Sequence, residues 1–503
     1  MAMLVMLLCL ETHLFIMTYE ETWDSLKKHH QPEWLDDAKW GIYFHWGVYS
    51  VPAFGNEWYP NMMYRGFISP IWGHHIETYG LLDEPGHGYK DFIPSFTAEN
   101  FDPDTWAELF KEAGAQFAGP VAEHHDGFSM WASKVNPWNA MDMGPHRDIV
   151  GEMERAIRKQ DMKFICTFHH ANNWYYYNHD PALDTGDPAY AGLYGKPHSA
   201  ANGIGYSDTK QDRPDLEFNE QWFAKLKEVI DNYRPDLIWF DFCLSRIMDK
   251  FKRKFVAYYY NAAEEWGKDV EILYKDFNLP PGVGILDYER GRAGAMTHYK
   301  WITDTSLGRK SWSYIEDEEY LPVEALIHSF VDRIAKNGYL LLNFGPKANG
   351  DIPVQVQETF KDFGKWIKVN EEAIFGSTPW VVAEEGPMKL AKDGGFNEDQ
   401  DYTSPYTAQD IRFTTKGNAL YAFAFGWPED ELTIKTITLA PKYASHEDAP
   451  KEWYIFEPGD IDSITMLGQG EPLEWHLTNQ GLKITVPAEK PCEHAYTFKI
   501  SWA

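Results

Sequence analysis

Arg234-Pro-Asp-Leu-Ile-Trp-Phe-Asp241 is the stretch on which the fold turns. Pro235 breaks the helical pattern of residues 221–233, and an apolar run follows at once. An apolar run bounded by a breaker reads as a fully buried, parallel strand. It stops at Asp241, so the strand delivers a carboxylate at its C-terminal edge, the edge where barrels of parallel strands do chemistry. A lone Asp there is equally suited to capping the next helix. What favours the first reading is that the same grammar recurs along three quarters of the chain.

Lys39-Trp-Gly-Ile-Tyr-Phe-His45 reads as the first strand, and residues 47–101 form a long insertion rich in Trp, Tyr, Met and Pro. Loops of that length are usually lids or binding walls. Residues 102–114 make an amphipathic helix with Pro103 near its start and Gly114 at its end. The strand at 116–123 then delivers His124 and His125, and the strand at 163–168 delivers His169 and His170. A second long aromatic loop, 171–213, leads to the helix before Asp241. Short strands are expected at 271–275, 284–289 and 300–304, a helix at 323–336, a last apolar strand at 338–343 and a closing helix at 360–374. Eight strands with polar C-ends predict a (β/α)8-like TIM barrel over residues 18–376, complete or short of one or two helices near strands five to seven. A doubly wound sheet is the runner-up, but no GxGxxG follows any strand. From Ser377 short alternating runs separated by Gly, Asp and Pro take over, which predicts a C-terminal antiparallel β-sandwich over 377–503.

Composition narrows the partners. A net charge of −30 argues against nucleic acid or an anionic membrane surface, because phosphate binding needs Lys/Arg clusters. Cys9, Cys166, Cys243 and Cys492 lie far apart without a CxxC pair, which excludes a disulfide scaffold or zinc ribbon. Residues 1–17 are apolar but carry Glu11 and His13 and lack a basic n-region. They read as a poor signal peptide or as sequence upstream of a start at Met17. No other stretch approaches the roughly 18 apolar residues of a membrane span. The expectation is a soluble protein, periplasmic or secreted if 1–17 act as a signal and cytoplasmic if translation starts at Met17. Oligomeric state is not readable.

Two carboxylates, Asp241 and Glu289, stand at expected strand ends, and a facing Asp/Glu pair is the minimum for glycoside hydrolysis. Asp276, Asp287 and Asp304 are rivals; alternation along the strand is expected to turn Asp287 away from Glu289. His45, His124, His125, His169 and His170 cluster at three successive strand ends. Neutral imidazoles suit a hydroxyl-rich sugar; a zinc-dependent barrel hydrolase is the competing functional reading. Adjacent His residues on a strand are expected to point apart, so at most one of each pair faces a shared ion. Glu57, Trp58 and Trp239 complete a polar and aromatic wall, with sugar stacking and core filling both open for the Trp residues.

Longer blocks add a resemblance. Phe44-His-Trp-Gly-Val-Tyr-Ser50, Gly55-Asn-Glu-Trp-Tyr59, Gly119-Pro-Val-Ala-Glu-His-His-Asp-Gly-Phe-Ser-Met-Trp131 and Arg147-Asp-Ile-Val-Gly151 resemble the alpha-L-fucosidase family, glycoside hydrolase family 29. So do Trp239-Phe-Asp241, Asp287-Tyr-Glu-Arg-Gly291, Ser311-Trp-Ser-Tyr314 and Leu341-Leu-Asn-Phe-Gly-Pro-Lys347, collinear over about residues 19–380. The resemblance implies a retaining exo-hydrolase that releases terminal α-L-fucose from fucosylated glycans or oligosaccharides without metal or cofactor. It implies Asp241 as nucleophile and Glu289 as general acid/base, with His45, Glu57, Trp58, His124, His125 and Trp239 around the sugar. The chain departs from the family pattern twice. Phe168-His169-His170 stands where many members have a Tyr, and Lys275 is the candidate substitute for an Arg near the fifth strand end. Linkage and aglycone are left to the loops 47–101 and 171–213. A binding protein on a decayed enzyme fold is disfavoured by the presence of both acids.

Overall fold

The computed structural model describes residues 19–198, 213–388, 394–398, 406–439 and 454–503; the apolar segment 1–17 and part of the second long loop lie outside them. Eight parallel strands close on themselves: β1 (Trp40–Phe44), β2 (Phe117–Glu123), β3 (Lys163–Phe168), β4 (Leu237–Phe240), β5 (Glu271–Lys275), β6 (Ile285–Asp287), β7 (Trp301–Ser306) and β8 (Gly338–Phe344). β1 pairs with both β2 and β8, which seals the barrel. Helices α1 (Pro103–Glu112), α2 (Ile149–Lys159), α3 (Leu216–Tyr233) and α4 (Asp249–Trp266) follow β1 to β4 in turn, α5 (Val323–Ala335) follows β7 and α6 (Val354–Ile374) follows β8. No α-helix joins β5 to β6 or β6 to β7, so two helices of the full barrel are missing. Pro280, Pro281, Gly282 and Gly284 explain the first gap, since they forbid a continuous helical backbone.

The decisive strand behaves as its apolar run requires. All of β4 is buried. Leu237 and Trp239 join the barrel interior with Phe117, Ile165, Leu273 and Ile302. Ile238 and Phe240 face the helical layer and pack with Phe255 and Trp222. Asp241 does not cap a helix. α4 begins beyond a short turn, and its N-cap is Met248.

The C-terminal region forms a five-stranded antiparallel sheet in the order β15 (Ile461–Met466), β18 (Tyr496–Trp502), β11 (Ala419–Ala424), β10 (Ile411–Lys416), β9 (Thr378–Glu385). A three-stranded sheet of β12 (Glu431–Ile434), β17 (Gly481–Thr485) and β16 (Trp475–Thr478) shares its apolar core. The pair β13 (Ile437–Thr438) and β14 (Tyr454–Ile455) is parallel, a local departure from the antiparallel expectation. Alternation on β10 gives the large sheet two jobs. Ile411 and Phe413 enter its own core. Arg412 and Thr414 reach the barrel helices, bonding Asp332 and the Ala373 carbonyl at 2.6 and 2.8 Å.

Candidate active site

The C-terminal ends of the strands converge on one pocket lined by Tyr43, His45, Glu57, Trp58, His124, His125, His169, Asp241, Phe242, Lys275, Glu289, Asp304 and Trp312. Of the expected site residues, Asp241, Glu289, His45, Glu57, Trp58, His124, His125, His169 and Lys275 stand here. Trp239 is set one layer lower, fully buried, with its indole N–H donating to Asp287 at 2.6 Å. Its ring lies 4.7 Å beneath the Lys275 ammonium, so it supports the floor.

Lys275 is the electrostatic centre. Its Nζ lies 2.9 Å from Asp241 Oδ1, 2.8 Å from Glu289 Oε2 and 3.2 Å from Asp304 Oδ2. Burial favours the neutral amine, but these carboxylates outweigh it and hold the lysine charged. Burial pushes the Asp241 carboxyl up; Lys275 and His125 outweigh that and hold it well below the usual carboxylate range. Glu289 comes out on the other side. Burial and the neighbouring Asp304 and Asp241 charges overcome Lys275 and raise it to about 7. Two carboxyls sharing one ammonium thus differ in protonation at neutral pH.

Around them the imidazoles of His45, His124 and His169 are neutral donors and acceptors. Burial takes His45 down to about 3. Its Nδ1 donates to Asn343 Oδ1 at 2.8 Å, and the Asn343 amide is itself oriented by donating to Ser306 and the Trp312 carbonyl. That leaves His45 Nε2 as an acceptor. Burial and neighbouring imidazoles hold His124 and His169 well below the ordinary histidine value. His125 lies 3.2 Å from Asp241 Oδ2 through Nε2, while its Nδ1 donates to the His169 carbonyl at 2.6 Å. Glu57 accepts from the Trp312 backbone N–H at 3.0 Å, and burial raises its carboxyl.

Ligand nitrogens of His45, His124 and His169 lie within 4.8 Å of one another, so among the described residues these three could hold an ion. The Lys275 charge beside them, which also lowers His45 and His169, opposes a second cation.

Three expectations are corrected. His124 and His125 do not point apart, because β2 ends at Glu123 and both occupy the turn beyond it, rings 4.5 Å apart and both on the pocket. Asp287 does not turn away from Glu289. Residues two apart on a strand share a face, and Asp287 lies one layer down, bonded by Trp239 and by the Asp304 N–H at 3.0 Å. His170 faces the helices and stacks on Trp222. Asp276 opens on a neighbouring cavity with Arg246 and Lys252. Sequence reasoning passed over Tyr43, Phe242 and Trp312. Trp312 was within reach, since it sits inside the Ser311-Trp-Ser-Tyr314 block.

Comparisons with known proteins match both parts of the chain. Residues 7–372 match the model described as Alpha-L-fucosidase, and residues 404–501 match the Alpha-L-fucosidase C-terminal domain. The tissue alpha-L-fucosidase of Rattus norvegicus is 30% identical over 96% of this chain and 92% of its own length. The alpha-L-fucosidase of Branchiostoma floridae is 28% identical over 99% of each chain. The Thermotoga maritima alpha-fucosidase in complex with fucose superposes with a TM-score of 0.71 at 27% identity, over 96% of this chain and all of that one. With the family model spanning residues 7–372 and the C-terminal domain matched beyond it, the chain belongs to the alpha-L-fucosidase family.

Proposed function

We propose that this glycoside hydrolase releases terminal α-L-fucose from fucosylated oligosaccharides or glycans, with retention, through a covalent fucosyl-enzyme. The carrying observation is that one Lys275 nitrogen touches both Asp241 and Glu289. The two contacts cap the separation of those carboxyl oxygens at their sum. That cap on one pair of oxygens supports the ~5–5.5 Å spacing of a retaining pair over the ~6.5–9.5 Å of an inverting one.

Asp241, ionised, attacks the anomeric carbon as Glu289 gives its proton to the departing oxygen. Glu289, now a carboxylate, takes a proton from water as that water displaces Asp241, restoring both groups. The neutral His45, His124 and His169 suit the sugar hydroxyls, with His125 held against Asp241 and the Trp58 ring 5.1 Å from that of His125. Asp241→Ala is expected to abolish turnover of an aryl α-L-fucoside while circular dichroism stays native. Azide should then partly restore turnover and yield the β-fucosyl azide. Wild-type-like turnover by that variant removes Asp241 from the mechanism.

A further inference from the structure

The loop that carries Glu289 is not held by the barrel alone. Past the end of β6, residues 289–292 pair with residues 394–398, which belong to the C-terminal region between β9 and β10. The Phe396 N–H donates to the Glu289 carbonyl at 2.7 Å. The Asn397 and Glu398 N–H groups donate to the Arg290 carbonyl at 2.9 and 3.1 Å. Arg292 and Gly394 exchange both backbone bonds, at 3.0 and 2.9 Å. Side chains close the same joint. The Glu398 carboxylate, only 3% exposed, accepts from Arg290 Nη1 at 3.0 Å and from Thr305 Oγ1 on β7 at 2.6 Å. Arg290 also lies over the Trp312 ring, 4.6 Å away, on the pocket wall.

Both partners in this joint have left-handed backbone, Arg290 at φ 44° and Phe396 at φ 55°. Bulky residues adopt that conformation only where their surroundings over-determine it. A carbonyl bonded at the acid/base residue itself, flanked by two such residues, fixes the loop's path and with it the Glu289 side chain.

We infer that residues 394–398 of the C-terminal region belong to the catalytic apparatus, with Glu398 acting as a positioning residue for Glu289 through Arg290 and Thr305. The inference rests on Glu289 being the general acid. Glu398 touches no substrate; it sets where the proton is delivered.

The test uses the full chain and two substrates, phenyl α-L-fucoside, whose leaving group needs the proton, and 2-chloro-4-nitrophenyl α-L-fucoside, whose leaving group scarcely does. Glu289→Gln is the control and should lose on the order of 10²–10⁴-fold in kcat/KM on the phenyl substrate and far less on the activated one. Glu398→Gln should lose about tenfold on the phenyl substrate and about twofold on the activated one, a split of the same sense as the control's. Equal losses on both substrates by Glu398→Gln, beside a clear split in Glu289→Gln, overturn the positioning role. No split in Glu289→Gln overturns the acid/base assignment instead. Should Glu398→Gln fail to fold, Thr305→Val, which deletes the 2.6 Å donor at equal volume, carries the test under the same criterion.

Discussion

Glu289 and Asp241 have the same chemistry and opposite protonation, and the difference lies in what surrounds each. Asp241 has Lys275 and His125 on its two oxygens, whereas Glu289 has Lys275 on one side and the charges of Asp304 and Asp241 beyond it. The sign of the pH dependence follows. With Glu289 as the proposed general acid, activity needs it protonated, so kcat/KM should fall as pH rises through about 7. Asp241 stays ionised well below the usual carboxylate range, so the acid side of the profile should stay flat through pH values where an ordinary Asp protonates. Glu289→Gln, measured on an activated fucoside, should erase the limb near 7; an unchanged limb assigns it to another group. Lys275→Met probes the shared counter-charge. Removing one member of a buried ion pair costs about 3–5 kcal/mol, so the melting temperature should drop by several degrees. The acid limb should also move up as Asp241 loses its strongest charge partner; a limb that stays put means Lys275 does not govern Asp241. Chelation addresses the three imidazoles. With Lys275 beside them, exhaustive chelation is expected to leave turnover intact, and a loss restored by zinc would seat an ion on His45, His124 and His169.

At the scale of elements, the strand grammar was legible wherever a breaker preceded an apolar run, as at β4 and β8, because burial on both faces dictates such runs. The loss of one or two helices near strands five to seven is an expectation from the strand count, and the prolines and glycines after Lys275 account for the first gap. Side-chain direction past a strand end was not. His124 and His125 left the alternating pattern as soon as β2 stopped at Glu123, and only the turn geometry decides where they aim. Trp312 and Phe242 reach the pocket from loops, whose course is set by tertiary contacts such as the Trp312 N–H to Glu57. One close approach in the barrel wall is testable. A Cβ at Gly119 would overlap the Ile165 carbonyl of β3, which is backbone and has no room to move. Gly119→Ala should therefore spread β2 from β3 just below His124 and His169. We expect a loss of about 2–4 kcal/mol of stability, in the range typical of core overpacking and strain, with a rise in KM as the imidazoles separate. A variant as stable as wild type by urea denaturation would mean the strands tolerate the spread.

At the scale of the whole molecule, barrel and C-terminal sheet meet across a buried charge network as well as an apolar seam. Asp332 on α5 is fully buried and accepts from Arg412 of β10 at 2.6 Å and from Lys336 at 3.0 Å, with Arg292 at 3.6 Å. Arg412 and Lys336 also reach Glu384 of β9, at 3.4 and 3.0 Å. Burial pushes the Asp332 carboxyl up, but the three cations outweigh it and hold it well below the ordinary carboxylate value. A depressed carboxyl contributes stability that is present above its unfolded pKa, ~3.9, and lost as pH falls below it. Asp332→Asn keeps the shape and removes the charge, leaving Arg412 and Lys336 short of a partner. At pH 7 it should be about 3–5 kcal/mol less stable than wild type. Below pH ~4 the gap should narrow, because the unfolded chain then takes up a proton at this carboxyl that the native state does not. Denaturant melts of both proteins at several pH values measure this directly, and a gap that does not change with pH would mean the network holds the two parts together by packing rather than by charge. The network also bears on catalysis, since Arg292 lies in the segment joined to residues 394–398. In Asp332→Asn, activity on the phenyl fucoside should therefore be lost at a lower temperature than barrel ellipticity, the acid/base loop loosening before the strands part.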